Sequence, residues 1–466
     1  MRTLPVLEAQ QVPDGSCCAA CAAEPPRSAR PASPRRPIRR GDDRRVTFAG
    51  LITAAVLLGL AGIAAIGPFD TGRASWLPLH LALAGAAGTA IASVMPFFTT
   101  ALARVAPVHP SARLGAIALV AAGALAVSSG VAAGIGHIAV VGGAAYVAGL
   151  LLTSAASFLP LRASLGLGLR IVPLAYGVAL ACVITGAALA TAMMAGWPPV
   201  ASAWGTLKPA HAWLNVFGFL AVVMAATLIH LAPTVVGARI RPRRSGTIAL
   251  LALAIGAPTV ALGFASGSNP VVVVGGSLEM LGAIALVHHG FGVHRDRGRW
   301  TTDAGWHAFT GSSLVVGPVW FLVGVCLAVL PLLEHGASPS AWSVDRFAAP
   351  LVLGWVAQVL VGSWTHLVPA IGPGDQTIHA RQRRRLGRWA VPRWVLWNGG
   401  VALLLAGGVT GSQILGAIGA GALGVALVSA LGLLGASVVV DPRSGAQRVA
   451  TATLERGADV AGSRPT

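Results

Sequence analysis

His80, His137 and His211 each stand at the edge of an apolar stretch, and a neutral imidazole there offers a nitrogen ligand to copper or to haem iron. His211 and Asn215 are four residues apart, so they share one helical face, and Gly218 continues that face about one turn further on. A second set comprises His230, His366 and the adjacent pair His288 and His289, near the other ends of apolar stretches. Four imidazoles at one depth could bind copper or zinc, although neighbours on one helix diverge by about 100° and do not easily face a single ion. Glu279 is the acidic residue placed deep inside an apolar stretch, where insertion scales assign roughly 2.5–3.5 kcal/mol to an Asp. Such a carboxyl is either protonated and packed or part of a proton or cation pathway. Cys18-Ala19-Ala20-Cys21, with Cys17 beside it, has the spacing of a soft-metal clip. With no second pair nearby, a free thiol cluster is the simpler reading. The histidines have a plainer reading too, as boundary side chains that cap helix ends or bond a neighbouring loop.

These residues must be positioned by a membrane. The 466 residues are 55% hydrophobic and 10% charged, with a mean hydropathy of +0.74, more apolar surface than a water-soluble core could hide. Stretches of about 20 apolar residues place helices over 47–67, 76–102, 113–134, 137–159, 170–196 and 209–236. A second half repeats the count over 246–268, 270–292, 309–333, 346–371, 391–411 and 413–437. Residues 1–45, rich in Pro and Arg, read as a disordered basic cytoplasmic leader, 46–437 as the membrane domain, and 438–466 as a flexible cytoplasmic tail.

The net charge of +18 is a statement about topology rather than about nucleic acid. Of 33 Lys and Arg residues, 30 fall in the tails or in the loops after even-numbered helices, and only Arg73, Lys208 and Arg346 fall elsewhere. Positive residues stay on the cytoplasmic side, so the expectation is a multi-pass protein of the cell membrane with both termini inside. On this topology His80, His137 and His211 lie toward the outer face, and His230, His288, His289 and His366 toward the inner. The partner to expect first is the lipid bilayer.

The chain also repeats itself. Gly218-Phe219-Leu220-Ala221 leading to His230-Leu231-Ala232-Pro233 matches, without a gap, Gly354-Trp355-Val356-Ala357 leading to His366-Leu367-Val368-Pro369. Helix two ends similarly at Val94-Met95-Pro96, with Ser93 in place of the histidine. Helices two, six and ten are related at intervals of four, which predicts an all-α fold of three pseudo-repeated four-helix units.

On these segments the chain resembles the catalytic subunit of haem-copper oxidases, its C-family and nitric oxide reductase relatives in particular. Leu77-Pro78-Leu79-His80 is similar to the segment whose histidine ligates a low-spin haem. Asn215-Val216-Phe217-Gly218-Phe219 is similar to the stretch after a copper-ligating histidine. Leu353-Gly354-Trp355-Val356, Gly362 and Leu367-Val368-Pro369 resemble the stretch after the pair that ligates both haems. Phe347 and Ala349 stand where the resemblance calls for that pair, Leu214 stands where it calls for a copper ligand, and helix seven has no histidine. Neither tyrosine, Tyr146 or Tyr176, occupies an obvious active-site position. The resemblance therefore implies a degenerate relative, of the NnrS kind, that is not a working terminal oxidase. It would bind haem or copper through His80, His211 and His137 in redox, nitric oxide or metal handling. A proton- or cation-coupled transporter using Glu279, and a membrane scaffold for a separate redox partner protein, are the alternatives.

Overall fold

The computed structural model describes residues 40–66, 76–163, 171–298, 306–372 and 374–439. The leader cysteines and the tail beyond 439 lie outside these described residues. The described chain is helical, as a bilayer requires when every backbone polar group must be satisfied within its own segment. Among the described residues, twelve long helices follow one another: α1 (Arg40–Ile66), α2 (Trp76–Ala103), α3 (Pro110–Ala132), α4 (Gly136–Phe158), α5 (Ile171–Met194), α6 (Trp204–Val235), α7 (Arg244–Ser266), α8 (Asn269–Arg295), α9 (Trp306–His335), α10 (Asp345–Ile371), α11 (Ala390–Thr410) and α12 (Gln413–Val439). Among the described residues, eleven helices are long and apolar enough to cross a membrane, and α11 is the one outside that set. It still spans 21 residues, but carries Arg393 and Asn398. Apolar side chains such as Ile63, Leu262 and Val409 point out of the bundle, the surface a multi-pass protein presents to lipid.

Three hairpins, α3/α4, α7/α8 and α11/α12, are built on one glycine template. A methyl group added to Gly123, Gly256 or Gly400 would come within 2.6, 3.0 and 3.1 Å of the amide nitrogens of Tyr146, Glu279 and Leu423. A second row repeats the pattern: Gly130, Gly263 and Gly407 press on the amides of Ala139, Val272 and Gly416, at 2.6, 2.7 and 2.8 Å by the same measure. The offset between the first and second hairpins is constant along the template, and so is the offset between the second and third. The helices thus meet backbone to backbone, where small residues allow the close approach that packing inside a bilayer rewards. Each hairpin turns through a left-handed glycine at the same template position, Gly134 (φ 71°), Gly267 (φ 66°) and Gly411 (φ 69°). A Cβ there would touch nothing, so glycine is needed at these turns for its backbone angle and not for space.

The helices ahead of the hairpins, α2, α6 and α10, meet at the centre. Each contains a π-helical stretch (Leu81–Ala87, Leu214–Ala221 and Ala349–Ala357) before its proline, Pro96, Pro233 or Pro369. A π turn adds a residue and offsets the hydrogen-bond ladder. Two of these stretches receive a donor from a neighbouring helix: the Tyr146 hydroxyl donates to Ala84 O at 3.3 Å, and Trp397 Nε1 to Leu353 O at 2.9 Å. Beyond the π stretches the three helices, with Leu51 of α1, line a partly open cavity of about 60 Å³, whose lining includes Ile91, Met224, Thr227, Leu360, Ser363 and Trp364. The expected three four-helix units are thus α1–α4, α5–α8 and α9–α12.

Candidate functional site

Two of the three histidines first singled out, His80 and His211, lie within electrostatic reach of each other. His80 closes the first turns of α2, with its ring stacked on Trp76 at 3.8 Å between centroids and its Nδ1 2.9 Å from Trp76 O. His211 lies on α6 with Nδ1 2.8 Å from Gly186 O on α5. Asn215 holds this arrangement: its Nδ2 donates to His211 O at 2.6 Å, the bond compatible with an Nδ1–H given to Gly186 O, and its side chain packs over Gly186. An Nδ1–H given to a carbonyl fixes the tautomer and turns the Nε2 lone pair outward, the state in which imidazole binds a metal. Both rings have such a carbonyl at Nδ1. His137 does not join them; it is exposed at the start of α4.

The expected inner layer separates into two groups. His289 is buried against Gly246 of α7 with His230 and His288 in electrostatic reach, while its neighbour His288 is exposed, as the 100° divergence requires. His366 neighbours His307 at the start of α9 and Arg383. His307 was not among the sequence candidates, because nothing in its local spacing ties it to a residue far along the chain. Among the described residues, no group of three or more His, Cys, Asp and Glu side chains converges in a way that could hold a metal ion.

The second unit explains the His289 pocket. On the glycine template, Gly246 corresponds to Arg113 of α3, and His289 to Ala156 of α4. In the first unit Arg113 is buried, pairs with Asp43, and donates to Thr47 Oγ1 at 2.9 Å and to Ser93 O at 2.6 Å. Ser93 is the repeat counterpart of His230. The imidazole of His289 therefore fills, from the opposite helix, the place of a guanidinium, which makes it a packing group.

A flat macrocycle meets an obstacle beside α10. Phe347, where the resemblance calls for a haem ligand, is buried in an aromatic cluster: Trp342 lies 5.2 Å from it and Phe217 6.2 Å, and Trp213 stacks on Phe217 at 4.1 Å. These rings fill the region between α6 and α10, so the residues present do not fit a haem there. Glu279 is fully buried on α8, with neither oxygen in a well-placed hydrogen bond; Oε1 lies over Gly256, and the Ala257 main chain is the polar group in reach.

In comparison with known proteins, the chain matches no family model, and no curated protein matches its sequence.

Proposed function

We propose that this is a haem-copper-oxidase-like membrane protein, lacking the ligands of a terminal oxidase, that holds copper between His80 and His211 for redox or metal handling. The observation that carries the reading is the shared placement of the two imidazoles, each with Nδ1 at a backbone carbonyl, the arrangement that in metal-binding histidines leaves Nε2 as the ligand nitrogen. Two imidazoles suit copper among the biological metals, and Trp76 and Asn215 keep the rings in place. Haem fits less well, since Phe347 and its aromatic neighbours occupy the space beside α10. The skewed distribution of Lys and Arg supports a cell-membrane location with both termini cytoplasmic, which puts the copper pair at the outer face, open to a redox partner.

The test is metal analysis and an optical spectrum of the detergent-purified protein after expression with copper and haem supplied. Copper at about one equivalent, lost in both His80→Ala and His211→Ala and retained in His137→Ala, is the expected result. Folded wild-type protein that retains no copper would overturn the reading. A haem spectrum lost in His80→Ala would replace copper with haem.

A further inference from the structure

One template position carries three different side chains in the three hairpins: Tyr146, Glu279 and Leu423. Tyr146 satisfies itself on the π stretch of α2, and Leu423 has nothing to satisfy. Glu279 is polar, fully buried, and set ten residues into α8, about 15 Å along the helix. The titratable group that faces it from α5 is the Cys182 thiol. From α7 it meets Gly256 and Ala257; on α9 the Cys326 thiol is directed to Met280 Sδ at 3.7 Å.

The surroundings of Glu279 connect to the His211 end of the bundle. Cys182 packs on Gly218 of α6, where an added methyl would lie 2.9 Å from the thiol sulfur. One turn further along α5, Gly186 packs on Asn215, which bonds His211. His211, Asn215 and Cys182 thus follow one another along the seam between α5 and α6, with Gly186 and Gly218 as the small residues facing Asn215 and Cys182, and Cys182 in turn is within electrostatic reach of Glu279 on α8. On the other side of Cys182 along α5, the Tyr176 hydroxyl meets Thr227 Oγ1 at 2.9 Å, and Thr227 lines the central cavity.

We propose that Glu279 is a proton-binding site at the centre of the second four-helix unit, filled and emptied along the α5/α6 seam from the end that carries His211. The ligand is a proton and not a metal cation: hard cations need about six oxygen donors, whereas the polar groups around Glu279 are one main-chain segment and one thiol. A carboxyl kept in hydrocarbon without a partner is costly as an anion and tolerable as an acid, so its proton is held until a path to water opens. Asn215 and Cys182 act as positioning residues along that path. Glu279 itself is not part of the copper pair, and its titration does not require a bound ion, although the path begins at the end of the bundle where His211 and Asn215 lie.

Dicyclohexylcarbodiimide, an apolar reagent that attacks protonated carboxyls, tests this on the wild-type protein in liposomes. The expected result is an adduct on the Glu279 peptide, read by mass spectrometry, whose rate of formation falls about tenfold per pH unit above the titration point. Asn215→Leu should slow the response to a pH jump while leaving the end point of labelling unchanged. Absence of an adduct at Glu279 in folded protein, or labelling that does not vary with pH, would overturn the proposal, the second by showing a permanently neutral packing group. Glu279→Gln should abolish the adduct and keep its copper, which separates failure here from failure of the copper reading.

Discussion

The first and second four-helix units share a backbone and differ in how they treat buried polarity. In the first, Arg113 is met by Asp43, Thr47 and the Ser93 carbonyl, and Tyr146 by the Ala84 carbonyl. In the second, the corresponding places hold His289 and Glu279, and none of their side-chain polar atoms has a well-placed hydrogen bond. The same glycine template therefore supports one interior closed by satisfied contacts and one in which an imidazole fills space and a carboxyl, Glu279, is left without a well-placed hydrogen bond. Where a fold is repeated, the copy that departs from satisfied packing is the place to look for chemistry.

The comparison breaks most readily at Arg113. Arg113→Ala removes a buried guanidinium and leaves the half-buried Asp43 carboxylate, Thr47 and the Ser93 carbonyl without it, which should cost about 3 kcal/mol, read as a large fall in the thermal midpoint in detergent. His289→Leu, at the equivalent place, removes no hydrogen bond and should change stability by less than about 1 kcal/mol. Equal falls for the two variants would show that both units are closed in the same way. Next in size, Glu279→Leu installs the residue that the third hairpin already carries. It should raise stability by about 2–3 kcal/mol and abolish carbodiimide labelling; a loss of stability would mean that the carboxyl is a packing contact.

The smallest effect is expected outside the membrane, at Asp296. Partial burial alone would raise its pKa, but hydrogen bonds and charge from Arg243 and Arg241, the latter at 2.5 Å, outweigh that and hold it below the ordinary 3.8. A carboxyl lowered in the folded state adds stability that is fully present above its unfolded value and is lost as pH falls through the folded one. Asp296→Asn should therefore change the thermal midpoint slightly at neutral pH, and the difference from wild type should vanish in strong acid. Salt should shrink it as well, since the pair is exposed.

Much of this architecture was legible in the chain. The apolar run lengths gave the twelve helices, most within a few residues of those observed, and the matched stretches ending in Pro233 and Pro369 placed α6 and α10 in equivalent roles. Helix α1 begins at Arg40, seven residues before the apolar run and inside the stretch assigned to the leader, because a charged first turn carries the helix beyond the apolar segment. The His211–Asn215 face was readable because four residues make one turn. The tie from His211 to Gly186 was not, since it joins residues 25 apart on different helices. The π stretches of α6 and α10 contain the matched segments Gly218–Ala221 and Gly354–Ala357, but the match marks them as equivalent without saying that their turns are π-helical. The glycine template is written in the sequence, but in a chain with 59 glycines its rows stand out only once facing helices are known. The aromatic plug around Phe347 is a tertiary fact, which is why the expectation of haem could be formed from local segments alone.

The tight turns at Gly134, Gly267 and Gly411 bear on how the chain is assembled. Each joins two spans that recognise one another by main-chain contact, so nearly all of a hairpin's closest contacts are made within about fifty residues of chain. Such a pair can seat itself in the bilayer as soon as its second span has been synthesised, before the rest of the bundle exists. A piece that completes itself in this way can also be duplicated whole, and each copy is then free to acquire its own interior.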